Sequence, residues 1–132
     1  MVPLLTEVRP DQLHDYWPVV EKGLLRVKRK THPTWIPADI YSAIKTGNAV
    51  LFMISDTAFC VLQKVSDFDG PRLLVWVIYG PHELATREQE LTDWLKEKAR
   101  FIGAKAIRLH SPRRWESRGW TKRETIFEIA SL

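Results

Sequence analysis

A chain of 132 residues holds one ordinary domain, and 45% hydrophobic against 27% charged residues is enough apolar material for a core without disulfides or metals. Its net charge of +4 permits contact with nucleic acid without implying it. A lone Cys60 excludes an internal disulfide, the scattered His14, His32, His82 and His110 lack the spacing of a metal site, and apolar runs such as Ala49–Ile54 are far too short to span a membrane.

Val2–Val8 reads as a short edge strand, ended by Arg9-Pro10, with Asp11 near a helix cap. Leu13, Trp17, Val20, Leu24 and Val27 trace one face of a helix running to about Arg29, and Pro18 should kink or split it. The helix ends in Arg26, Lys28, Arg29 and Lys30, cations that suit the negative end of a helix dipole. Thr31–Ile36 is a loop holding Pro33 and Trp35; Pro37 then opens a second helix, Ala38–Lys45, closed by Gly47. Ala49–Ile54 and Ala58–Val65 form a hairpin around Ser55-Asp56-Thr57, and a turn over Ser66–Pro71 follows. Arg72–Tyr79 is apolar on both faces and belongs at the centre of a sheet.

A long helix is expected over Leu84–Ile102, from the stripe Leu84, Leu91, Trp94, Leu95, Lys98 and Ile102, with Gly103 closing it. Ala104–His110 then returns as a strand parallel to Arg72–Tyr79 through a right-handed crossover. Ser111–Arg118 is a short polar stretch and Trp120–Ala130 the last strand. The expected class is α/β (α+β) in a single domain over residues 1–132. An antiparallel meander and a parallel β-α-β pair make up its mixed central sheet, and helices cover both faces.

Two segments are distinctive. Ala99–Leu109 passes from helix to strand through Gly103-Ala104, and Arg118-Gly119-Trp120 precedes the last strand. Together with the order of elements, they resemble the GNAT acetyltransferase superfamily. That family cradles the CoA pyrophosphate in an Arg/Gln-x-x-Gly-x-Gly/Ala loop between its fourth strand and third helix. Counting back from Gly103-Ala104 puts Glu83 and Leu84 at the loop's opening positions and Thr86 and Glu88 at its glycines. Glu83, Glu88 and Glu90 would repel an anion, and Pro81 removes an N–H. The family's general base and proton donor have no counterpart either, since Leu73–Tyr79 carries no acid and Ser111–Arg118 no tyrosine. The resemblance implies a catalytically degenerate fold: not an enzyme, with no catalytic residue, cofactor or metal.

A narrower resemblance is to small GNAT-like proteins of tailed phages. Tyr16–Glu21 is similar to their Trp-Pro helix, Gly80-Pro81-His82-Glu83 to their Pro/Gly-rich helix start, and Pro112–Glu116 to their Arg-Arg-Gly-Trp segment. Related internal virion proteins of short-tailed phages serve particle assembly. The resemblance therefore implies a structural or interaction role in virion assembly or inside the particle, with other virion proteins as partners. Host cytoplasm or the virion is the expected location, in keeping with the absence of a signal-peptide pattern. Two alternatives stand beside it: an active acetyl-CoA-dependent N-acetyltransferase with an aberrant cofactor loop, and a small nucleic-acid-binding or host-modulating protein.

Arg113, Arg114, Trp115, Arg118, Trp120, Lys122 and Arg123 set five cations and two indoles within eleven residues. They form a candidate surface for a protein partner or nucleic acid, with indoles for stacking and guanidinium groups for phosphate or carboxylate. Glu116 and Glu124 dilute that charge, which favours a solvated turn whose indoles cap the sheet. His32, Trp35 and Tyr41 either line a cleft or pack, and Cys60, with no neighbouring histidine, reads as a core residue. Exposed tryptophans would allow a homo-oligomer.

Overall fold

Alternation along the strands divides the apolar residues into two sets, and each set has its own pair of helices. The computed structural model describes residues 5–68, 70–110, 121–123 and 126–130. In chain order these form β1 (Thr6–Val8), a 3-10 turn (Pro10–Gln12), α1 (Leu13–Thr31), α2 (Pro37–Lys45), β2 (Val50–Met53), β3 (Phe59–Asp67) and β4 (Gly70–Tyr79). Then come α3 (Pro81–Thr86), α4 (Glu88–Phe101), β5 (Ala106–His110), β6 (Thr121–Arg123) and β7 (Ile126–Ala130). The sheet runs β1-β2-β3-β4-β5-β7-β6, antiparallel at every junction but the parallel β4–β5 pair. The expected mixed α/β architecture, a meander followed by a parallel β-α-β pair, is the one observed.

On one face Cys60, Leu62, Leu73, Val75 and Ile107 meet Leu84, Leu91, Leu95 and Ala99 of α3 and α4. On the other, Leu51, Phe59, Val61 and Val77 meet Leu13, Val20 and Leu24 of α1 and Ile40 and Ile44 of α2. Each buried Leu, Ile or Val among them contributes about 1.5–3 kcal/mol of transfer free energy. Gly23 sets how closely α1 lies on the sheet, because a Cβ there would stand 2.6 Å from Phe59 Cε1.

Four local expectations need correction. Pro18 does not split α1; the side chain is exposed, so water can satisfy the carbonyl that loses its donor. The long helix over Leu84–Ile102 starts earlier and breaks at Arg87 (φ −127°, ψ 25°). Just before the break Thr86 Oγ1 donates to the His82 carbonyl at 2.9 Å, a back-bond of the kind that bends helices. The strand expected over Trp120–Ala130 is instead the antiparallel pair β6 and β7, since Lys122–Thr125 lacks the apolar alternation to carry one strand through. β3 and β4 also extend into the expected Ser66–Pro71 turn, pairing as far as Asp67 and Gly70.

Candidate functional site

Strand β4 changes character halfway along. Val61 of β3 faces Val77, but the next residue, Leu62, faces Val75, so Trp76 is an extra residue with no counterpart. This is a β-bulge, which bends the strand and raises its twist. The slip also shows in the packing. Leu73 and Val75 point to the α3/α4 core, Trp76 and Val77 both pack toward α1 and α2, and Ile78 and Tyr79 resume the alternation.

Pairing with β5 covers Arg72–Val75 against Ala106–Leu109 and stops at the bulge. Over Trp76–Tyr79 no described strand occupies that edge. A cleft of about 1070 Å³ lies against this edge. It reaches from Arg26, Arg29 and Lys30 of α1, past Trp35, to Pro81 and Leu84 of α3. A smaller recess of about 430 Å³ shares Arg26, Tyr79 and Gly80 with it and adds His82 and Glu83. Only glycine suits position 80, where φ is +154° and a Cβ would stand 2.6 Å from the Ala58 Cβ.

The α1 wall is cationic. Arg26 Nη1 donates to Tyr79 Oη at 2.8 Å, and Tyr79 in turn packs on Phe59 with ring centroids 5.7 Å apart. Lys28 Nζ donates to the Trp35 carbonyl at 3.1 Å and ties the α1–α2 loop to the helix. Arg29 and Lys30 are exposed and form no ion pair among the described residues. No Asp or Glu is among the described residues that line the larger cleft.

The three acids expected to repel an anion are not among those lining residues. Glu83 lines the smaller recess, Glu88 is 6% exposed and carries an interaction of its own, and Glu90 accepts from Arg87 at 3.4 Å. The glycine-loop mismatch remains real, with Thr86 ending α3 and Glu88 opening α4.

Of His32, Trp35 and Tyr41, only Trp35 lines the cleft. Tyr41 meets Trp17 edge-on at 4.9 Å, and His32 caps α1 in the left-handed region at φ 49°. Cys60 is a core residue, and burial pushes its thiol up. Lys122 and Arg123 fall on β6, opposite Phe127 and Ile126 of β7, whereas Arg113, Arg114, Trp115, Arg118 and Trp120 lie outside the described residues. Among the described residues no group of His, Cys, Asp and Glu could hold a metal ion, and no helix is long and apolar enough to cross a membrane.

Two residues escaped the sequence reading. Tyr79 looks like one more β-prone residue of an apolar strand, and Trp76 becomes an extra residue only once β3 is laid beside it. Nothing local marks either. Arg26 and Tyr79 are 53 positions apart, so their hydrogen bond has no sequence signature.

No family model matches the sequence, and no curated protein matches it. Solved structures do. A GNAT-family acetyltransferase from Brucella melitensis in complex with acetyl-CoA superposes with a TM-score of 0.68 at 13% identity, over 96% of this chain and 86% of that one. A PaiA N-acetyltransferase from Thermoplasma acidophilum in complex with coenzyme A gives 0.59 at 14% identity, over 96% and 97%. A probable acetyltransferase gives 0.65 at 14% identity, over 91% of each chain. The expectation of a non-enzyme is overturned by these neighbours, which are acetyltransferases, two of them with acetyl-CoA or coenzyme A bound. Nothing in them points to a phage or a virion. This chain has the fold of the GNAT-family acetyltransferases.

Proposed function

We propose that this chain is an acetyl-CoA-dependent N-acetyltransferase. The observation that carries the reading is that the described β4–β5 pairing ends at the Trp76 bulge, where the Trp76–Tyr79 half of β4 lines a cleft of about 1070 Å³. An exposed strand edge binds extended amide chains by adding them to the ladder. The pantetheine arm of acetyl-CoA is such a chain, and the backbone of Trp76–Tyr79 would hold it. Bound there, acetyl-CoA supplies an acetyl group activated as a thioester.

The chain's own contribution is position and exclusion of water. Trp35 and Trp76 give the cleft apolar walls on the α1 side, where the acceptor amine would enter. Arg26 has no acceptor atom, so Tyr79 Oη must accept from it and keeps its own hydrogen to offer to the acceptor. Holding an amine against a reacting carbonyl in this way supplies a large share of catalysis without any acid or base. The phosphate end fits less well, because Thr86 and Glu88 replace the glycines that would let the backbone approach closely. Affinity should therefore rest on the arm more than on the pyrophosphate.

Calorimetric titration tests this first, followed by thiol release with a panel of amines. Saturable acetyl-CoA binding is expected. No heat up to ~1 mM, the upper end of ordinary Michaelis constants, would remove the reading.

A further inference from the structure

We infer that the α1 wall of the cleft is an anion subsite for the acceptor, so that the amine acetylated here also carries a carboxylate or a phosphate. This rests on the transferase reading above. Three cations, Arg26, Arg29 and Lys30, recur at i, i+3 and i+4 along the last turns of α1 and all line the cleft. The helix dipole accounts for cations at this end but not for their gathering on one wall. No Asp or Glu is among the described residues lining this cleft, Glu83 lying in the adjoining recess beside Arg26, and Arg29 and Lys30 have no ion pair among the described residues. Arg26 is held in place by Tyr79 at 2.8 Å, so one guanidinium is already oriented.

A carboxylate or phosphate entering between Trp35 and Tyr79 would meet these donors in charge-assisted hydrogen bonds. The same field does a second thing. It disfavours the ammonium form of a nearby amine and so favours the neutral base, the form that can attack a thioester. Polyamines and lysine-rich peptides would be repelled.

Cofactor phosphates are the competing source of anionic charge, and acetyl-pantetheine, which lacks them, separates the two. The acceptor probes are matched amines: L-phenylalanine against its amide, and glucosamine 6-phosphate against glucosamine. Binding is read without turnover, from the indole N–H cross-peaks of Trp35 and Trp76 in nitrogen–proton spectra, assigned with Trp35→Phe and Trp76→Phe. At least one anionic probe should bind about tenfold tighter than its neutral mate, as expected for hydrogen bonds to a charged group that is partly solvated. The double variant Arg29→Gln/Lys30→Gln should erase that advantage and leave the acetyl-CoA dissociation constant unchanged.

Equal binding of the neutral mates, or no shift from either anionic probe up to ~10 mM, overturns the inference. So does a double variant that weakens acetyl-CoA but not acetyl-pantetheine, which would hand the cations to the cofactor. If acetyl-CoA fails to bind while the anionic probes still discriminate, the anion subsite stands and the transferase reading falls.

Discussion

The two halves of β4 are made of the same kind of residue and meet opposite fates. Arg72-Leu73-Leu74-Val75 is paired on both edges, to β3 and to β5, and two of its side chains, Leu73 and Val75, are fully in the α3/α4 core. Trp76-Val77-Ile78-Tyr79 is as β-prone, yet among the described strands it is paired on one edge only. Between the two halves lies one inserted residue, Trp76. A bulge lets a strand keep its place in the sheet while turning part of its edge away from a neighbour, so a binding edge can sit at the middle of a sheet without a free edge strand at its rim.

The sharpest way to break that contrast is to delete Trp76. Without it Leu62↔Val75 and Val61↔Val77 become consecutive pairs, and Val77, Ile78 and Tyr79 keep the faces they have now. Acetyl-CoA binding should fall by about two orders of magnitude or more as the cleft closes, while the melting temperature holds or rises because a bulge disrupts the ladder. Persistent binding would mean that the bulge is not what opens the edge.

Leu73→Ala against Ile78→Ala measures the two halves by packing. Leu73 is 3% exposed and should lose about 2–5 kcal/mol in urea unfolding. Ile78 is half-buried and should lose about 1–2 kcal/mol. Equal losses would show the open half to be as tightly packed as the closed one.

Cys60, which faces Ile78 across β3 and β4, reports on the same region by pH. Its thiol is pushed up by burial, so the folded chain keeps the proton that the unfolded chain gives up above about pH 8.5. The unfolded state then binds fewer protons, and stability falls as pH rises, by up to about 1.4 kcal/mol per unit. Cys60→Ala should lack that fall relative to the parent between pH 8 and 10. The same slope in both would mean that water already reaches Cys60 through the open half.

The smallest effect is expected for Tyr79→Phe. It leaves Phe59 its aromatic neighbour but removes the acceptor that holds Arg26. Stability should change by less than about 1 kcal/mol, since Arg26 is exposed, and the acceptor Michaelis constant should rise about fivefold with acetyl-CoA binding untouched. An unchanged acceptor constant would show that Arg26 needs no fixing.

Much of this was readable before any strand was paired. Apolar spacing located α1 because burial on one face forces period 3.6, Pro37 and Gly47 bounded α2, the Ser55-Asp56-Thr57 turn marked the hairpin, and the Gly103-Ala104 step located β5. The cationic end of α1 was equally plain, although its position on a cleft wall was not. Thr86 and Glu88 bear on one way of holding phosphate, and glycine spacing says nothing of the strand edge that precedes them. Glu83, Glu88 and Glu90 counted alike along the chain, yet one lines the smaller recess, one is buried and one is paired with Arg87.

By itself, then, the sequence determined the order of most helices and strands, which faces are apolar and where the charges lie along the chain, because each of these follows from local stereochemistry and periodic burial. Only the tertiary structure decided that Trp76 is surplus to its partner strand, that the described β4–β5 pairing ends there, and that Arg26 meets Tyr79. Those are relations between segments far apart in the chain, set by register and packing, and no single stretch of sequence contains them.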